Sequence, residues 1–118
     1  LGVNRLPANS TKSYDLVSDK YGKVQVKARL VSSPAKSGQQ QTSPFRSKDF
    51  DHAAFVLLSD IDFSVVAAVL MPLAAVEDRW TWRQHVKGWT VHMNGPTMTH
   101  AGAIDISDDL RRAARGLA

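Results

Sequence analysis

Residues 13–29 read SYDLVSDKYGKVQVKAR, and this stretch carries the strongest indication of fold and chemistry in the chain. A short strand-like run leads into a Tyr-Gly turn, where Gly22 can take a positive φ. The next run alternates apolar and polar residues, as a half-buried β-strand does. Asp15 lies on the first segment, while Gln25 and Lys27 share the polar face of the second. We therefore expect an acid, an amide and an ammonium at one point of an antiparallel hairpin.

The rest of the chain alternates strand and helix signals. The segment 32–44 is rich in Ser, Gln, Pro and Gly and is predicted to be a loop that builds no core. The apolar runs predict a buried strand over residues 53–59, paired as a hairpin with a second strand over 63–71. A short helix is predicted over 73–79, after Pro72, followed by a late strand over 89–93. A basic helix is predicted at the C-terminus over 110–117, with Ser107 as its N-cap. This order predicts an α/β domain, with α+β as the alternative, around a mixed sheet.

Length and composition indicate a single domain that spans residues 1–118. The chain is 43% hydrophobic and 22% charged, so it can build a core and does not have the composition of a disordered protein. The absence of cysteine excludes disulfides and thiolate metal sites. No apolar run reaches the roughly 18 residues of a membrane-spanning helix, and no secretory signal is visible. We predict a cytoplasmic protein without a membrane partner. A start without Met indicates a piece of a longer protein.

The charge is unevenly distributed along the sequence. Residues 1–48 hold nine Lys and Arg against two Asp, a net charge of +7, whereas residues 49–118 hold six against nine acids, a net charge of −3. A basic half around the Asp15 region favours a polyanionic partner such as DNA. Lys12, Lys23 and Arg29 are the candidate phosphate contacts. The alternative is that these cations only keep an ordinary surface solvated.

Asp15, Gln25 and Lys27 have the functional groups that metal-dependent phosphodiester hydrolysis requires. Mg²⁺ prefers hard oxygen ligands and often uses only one or two carboxylates, so Asp15 is the candidate ligand and the Gln25 amide oxygen a weaker second one. The Lys27 ammonium can orient the attacking water or stabilise the negative charge that develops. Asp15 could instead cap the turn, and Gln25 and Lys27 could form a plain solvated strand face.

These residues resemble the motif of the PD-(D/E)xK nuclease superfamily, which has the restriction-endonuclease-like fold. Asp15 falls at the position of the first acid, and Gln25-Val26-Lys27 falls at that of (D/E)-x-K. The pattern is most similar to the branch in which Gln replaces the second acid, as in Mrr-type restriction enzymes. The similarity covers about residues 13–31. It departs from the family at Tyr14, where many members have Pro.

The resemblance implies a central mixed sheet flanked by helices and a site that uses Mg²⁺ or Mn²⁺ to hydrolyse DNA. It also implies an upstream helix bearing a Glu, which this chain does not contain. Asp15, Gln25 and Lys27 would be the catalytic residues, with Asp15 and Gln25 holding the metal. Cutting both strands with one small domain favours a homodimer. Two other functions remain open: a catalytically inactive nucleic-acid-binding module, and a structural or partner-binding domain.

Histidine and tryptophan give no stronger site. The four histidines lie at least seven residues apart, without the close spacing of a zinc pair. Asp49, Asp51 and His52 form a polar cluster that we interpret as a loop-to-strand cap. The three tryptophans are predicted to belong to an aromatic core, although exposed indoles could stack on bases. These residues are Trp80, Trp82 and Trp89.

Overall fold

The secondary structure consists of short strands and shorter helical segments. The computed structural model describes residues 3–5 and 14–116. The strands are β1 (Val3–Arg5), β2 (Leu16–Ser18), β3 (Gly22–Val31), β4 (His52–Ser59), β5 (Val65–Pro72), β6 (Trp80–Arg83), β7 (Gly88–Val91) and β8 (Ile104–Asp105). The α-helices are α1 (Leu73–Arg79), α2 (Gly95–Met98) and α3 (Ser107–Gly116), and 3-10 turns occupy Ser37–Gln40 and Gln84–Val86.

Six of these strands form one central mixed sheet, in the order β1-β2-β3-β4-β5-β8. Only the central pair β3–β4 is parallel among the described pairs of this sheet; its other neighbours are antiparallel. The β4–β5 hairpin and the helix over residues 73–79 are therefore confirmed. The chain is a mixed α and β domain around a mixed sheet, which agrees with the predicted coarse class.

The β2–β3 hairpin turns as the sequence predicts. Gly22 has a φ of 74°, a conformation that suits glycine. A Cβ atom at this position would also lie 2.2 Å from the Asp51 carboxylate, whose Oδ2 accepts a hydrogen bond of 2.8 Å from the Lys23 backbone N–H. The glycine thus serves both the turn and the close approach of the segment before β4.

The two faces of the central sheet are covered differently. One face carries the larger core, which includes Phe55, Met71 and Val91, together with residues of α1. The other carries a smaller cluster around Val56 and Leu70, onto which α3 packs. Helices therefore lie on both faces, but the small cluster leaves an apolar groove of about 200 Å³ beside α3.

Strand β3 is covered on both faces and not on its apolar face alone. Its polar face, with Lys27, is directed to the larger core, and only 8% of Lys27 is exposed. On its apolar face, Val24 is buried but 42% of Leu30 is exposed. The expectation of an exposed polar face is therefore wrong at Lys27, because a second layer of chain folds over it.

That second layer is a two-stranded sheet, β6–β7, extended by the connection between β3 and β4. Isolated bridges join Gln41 to His92 and Phe45 to Trp89. Gly88 permits this contact, since a Cβ atom there would lie 2.8 Å from the carbonyl oxygen of Phe45. Thr42 is only 4% exposed, so the prediction that the 32–44 loop builds no core is wrong at its C-terminal end.

The C-terminal helix begins differently from the prediction. Ser107 is the first residue of α3 and not its N-cap. Its hydroxyl accepts a hydrogen bond from the Ala68 N–H (2.8 Å) and donates one to the Ala68 carbonyl (3.2 Å), while Asp105 Oδ1 accepts from the Ser107 N–H (2.8 Å). The hydroxyl thus links α3 to β5, and the Asp105 carboxylate accepts from the first backbone N–H of the helix, which has no partner within the helix.

Within the described residues, no helix is both long enough and apolar enough to cross a lipid bilayer.

Candidate metal and nucleic-acid site on β2 and β3

Asp15 is fixed against β3 by three hydrogen bonds. Its backbone N–H donates to the Val24 carbonyl at 2.9 Å. Its Oδ2 accepts from the Val26 N–H at 2.8 Å and from the Gln25 side-chain Nε2 at 3.2 Å. The carboxylate is exposed, and the hydrogen bonds it accepts from described residues use only Oδ2. Within residues 14–116, no side chain or backbone group donates to its second oxygen, Oδ1, which is therefore the candidate ligand atom.

Lys27 extends from the same strand into the space below the second layer. Its Nζ donates to Ser43 Oγ and to the Pro44 carbonyl, both at 3.0 Å. The ammonium also lies 4.7 Å from the centre of the Phe45 ring, within the range of a cation–π contact. The segment 43–45 thus covers the lysine and supplies all three of these contacts.

The electrostatics of Lys27 connect it to Asp15. Burial lowers the pKa of the Lys27 ammonium, because a charged group is costly to remove from water. The negative charge of Asp15 opposes this effect and raises the pKa, while the positive charge of Arg46 lowers it further. Asp15, Gln25 and Lys27 therefore form one connected group: the first two are hydrogen-bonded, and the first and third interact through charge.

The predicted phosphate contacts have protein partners in this conformation. Lys23 forms an ion pair with Asp49 at 3.0 Å, and this hydrogen bond and charge raise the pKa of Lys23. Arg29 donates from its guanidinium to the Gln41 carbonyl. Lys12 lies outside the described residues. Because side chains alternate along a strand, Lys23 and Arg29 lie on the face of β3 that bears Lys27. A phosphate bound there would have to compete with Asp49 for Lys23 and with a backbone carbonyl for Arg29.

The donor set fits a hard divalent cation only in a minimal form. No three His, Cys, Asp or Glu side chains in residues 14–115 are grouped closely enough to hold a metal ion. An ion at Asp15 would have the second carboxylate oxygen as its protein ligand. A rotation of the Gln25 amide would exchange Nε2 for Oε1 and add a neutral oxygen. Mg²⁺ tolerates such a site, since it retains several waters and is often held by one or two carboxylates plus phosphate oxygens.

The residues that cover Lys27 were missed at the level of sequence. Ser43, Pro44 and Arg46 belong to a polar connection whose composition indicates a loop and nothing more. Phe45 is the one signal within it, because a large apolar residue amid Ser, Pro and Gln suggests a point of contact with the core.

Comparison with known proteins adds no assignment: no protein-family model matches the chain, and no curated protein matches it significantly. The geometry and chemistry of the site are therefore the basis for a function.

Proposed function

We propose that this domain hydrolyses DNA phosphodiester bonds with the help of Mg²⁺ or Mn²⁺. The observation that carries the proposal is the hydrogen-bonded Asp15–Gln25 pair beside a buried lysine whose charge is coupled to Asp15. Asp15 lies immediately before β2, and Gln25 and Lys27 lie on the adjacent strand β3, in the order that resembles the PD-(D/E)xK motif. The basic character of residues 1–48 supports a polyanionic substrate.

Each residue has a distinct task in this proposal. A bound divalent cation supplies charge that polarises the phosphate and makes a water molecule more acidic. Asp15 holds the ion through the carboxylate oxygen that β3 does not engage. Gln25 keeps the carboxylate oriented or adds its own oxygen. The attraction between the Lys27 ammonium and the phosphate increases as the phosphate gains negative charge. Because Lys27 is buried, this attraction is stronger than it would be in water.

A non-catalytic DNA-binding module is the second candidate function. It is favoured by the neutral Gln25 at the position of the second acid and by the lack of a three-ligand cluster among the residues the structure describes. Such a module would use the same basic face without needing a metal.

Cleavage of supercoiled plasmid separates these functions. With Mg²⁺ or Mn²⁺ the protein should nick the plasmid, and EDTA should prevent it. Asp15→Asn should lower the rate at least about 100-fold, since even partners of metal ligands cost 10–100-fold when changed. Because Asn retains an oxygen that can accept from the Val26 N–H, the fold should persist. Asp19→Asn is the matched control: it removes an exposed acid from the nearby turn and should leave the rate unchanged.

The same assay gives the role of Gln25. A large gain on Gln25→Glu would indicate a site weakened by its neutral amide, whereas a loss would indicate that the amide is a working member. Linear product would indicate paired cuts and a homodimer. Absence of metal-dependent cleavage, with DNA binding that weakens as salt rises, would replace the nuclease with the binding module. Absence of both would leave a structural or partner-binding domain.

A further inference from the structure

The tip of the β6–β7 hairpin is an exposed cationic surface that contains no acid. The sequence has no Asp or Glu between Asp78 and Asp105, although it carries Arg79, Arg83 and Lys87 there. Arg83, Gln84, His85 and Lys87 are all exposed. This local charge differs from that of the C-terminal half as a whole, which is net negative, so the hairpin is a basic island within it.

Trp82 adds an exposed aromatic ring to this tip. Of the three tryptophans, Trp80 and Trp89 pack against the larger core and stack on each other with centroids 4.5 Å apart, as predicted. Trp82 departs from that prediction, because 46% of it is exposed. The core therefore does not account for its position.

The indole of Trp82 is nevertheless held in place. Its ring meets that of Trp89 edge to face, with centroids 4.9 Å apart and an interplanar angle of 70°. Its Nε1–H donates to the Gln84 side-chain oxygen at 3.0 Å. A ring held in this way loses little freedom when a ligand stacks on it, which favours binding.

Arg46 joins the hairpin tip to the candidate site. Its guanidinium donates to the carbonyls of Val86 and Lys87, the second at 3.3 Å. The same positive charge acts on Lys27. Arg46 thus places an exposed positive charge between the hairpin tip and the buried Lys27.

We propose that the hairpin tip (Trp82, Arg83 and Lys87), together with the adjacent Arg46, binds single-stranded DNA by stacking an unpaired base on Trp82 and placing phosphates on the cations. A stacking ring can be used only by a base whose face is free, which duplex DNA offers only at its ends. The choice of DNA as partner rests on the proposed function, but binding at the tip does not require the Asp15 site to cut.

Binding of a fluorescent oligo-dT strand, compared with a duplex of equal length and measured in EDTA, tests this surface. Trp82→Ala should weaken binding of the single strand about tenfold and leave duplex binding nearly unchanged, because base stacking is lost. Trp82→Phe should recover part of the affinity. Arg115→Ala is the matched control for charge: Arg115 is exposed on α3, across the central sheet from the hairpin, and its removal should have no effect.

Lys87 provides a second variant whose folding is secure. Lys87 has a φ of 49°, in the left-handed region that suits glycine. Lys87→Gly should therefore fold at least as stably as the wild type. It should weaken binding of the single strand. The fall of log affinity with log salt should become less steep by about one unit of slope, as expected for one lost phosphate contact.

The possible results distinguish this inference from the nuclease. A folded Trp82→Ala or Lys87→Gly protein that binds oligo-dT like the wild type would overturn the tip surface, and so would an equal loss on duplex with Trp82→Ala. Asp15→Asn should retain binding at the tip while losing cleavage. If the wild type cleaves DNA and Trp82→Ala binds oligo-dT normally, only the proposed single-strand surface is contradicted. If binding depends on Trp82 but no cleavage occurs, only the nuclease function is contradicted.

Discussion

Lys27 shows how the second layer changes the meaning of a single position. On an exposed strand, truncation of a lysine is nearly neutral, and alternation along β3 predicts such a position. In the folded chain the ammonium is the donor to Ser43 and to the Pro44 carbonyl. Lys27→Ala would remove this donor as well as the packed side chain stem, so a loss of about 2 kcal/mol in the free energy of unfolding is expected. A tolerant exposed site becomes a sensitive buried one.

The lowered pKa of Lys27 makes this residue a source of pH dependence. Below its pKa in the folded state, both states carry the charge and the cost of burying it is fully present. Between that pKa and 10.5, the value of an unperturbed lysine, the unfolded state binds more protons. Stability from this group therefore rises with pH across that window.

Urea unfolding of the wild type and Lys27→Met, at neutral pH and at about pH 10, measures the effect. From neutral pH to the higher pH, the free energy of unfolding of the wild type should increase relative to that of Lys27→Met. The comparison isolates Lys27, because the other titrating groups cancel in the difference. Lys36→Met is the matched control, since it removes an exposed lysine. A difference between wild type and Lys27→Met that does not vary with pH would contradict the burial of the charge.

At the scale of the elements, one hydroxyl links the start of α3 to β5, in addition to the hydrogen bonds that Arg111 donates to the Val65 and Val66 carbonyls. Ser107 both donates to and accepts from the backbone of Ala68, and it is only 8% exposed. Ser107→Ala leaves the buried Ala68 N–H of β5 without its acceptor, at a cost of about 1–3 kcal/mol, while the Ala68 carbonyl still accepts from the Ile106 N–H at 2.9 Å. Thermal unfolding should show a lower midpoint. Ser37→Ala, at an exposed serine of the β3–β4 connection, is the comparison, and an equal midpoint for the two variants would contradict this account.

Elements with strong local signals were predictable from sequence. The apolar runs of β4 and β5, the Pro72 start of α1 and the Gly22 turn all depend on residues close in the chain. The partner of β3 was not predictable in this way, because parallel pairing has no turn signature. The burial of Lys27 depends on residues 16–18 positions later in the chain, and the exposure of Trp82 depends on where β6–β7 ends. Asp15 and Gln25 were predictable as neighbours because a short hairpin sets their register.

At the scale of the whole molecule, the two sides of the central sheet have different characters. One side carries Asp15 and Lys27 on the sheet, together with the β6–β7 layer, its basic hairpin tip and Arg46. The other side carries α3 and the apolar groove. A polyanion is expected to use the first side, so cations on α3 should contribute little to DNA affinity.

The parallel pairing of β3 with β4 also has a consequence for the order of folding. The β4–β5 hairpin closes over a short turn, whereas β3 can meet β4 only after residues 32–51 have returned to the start of the sheet. Since the entropy of closing the longer segment must be lost before its contacts form, the cover over Lys27 should assemble late. In stopped-flow chevrons, Val69→Ala in β5 should slow folding, while Phe45→Leu should mainly speed unfolding. If the whole loss of stability of Phe45→Leu appeared as a slower folding rate, the cover over Lys27 would belong to the folding nucleus. If the cover assembles last, the candidate site is expected to exist only in the completely folded chain.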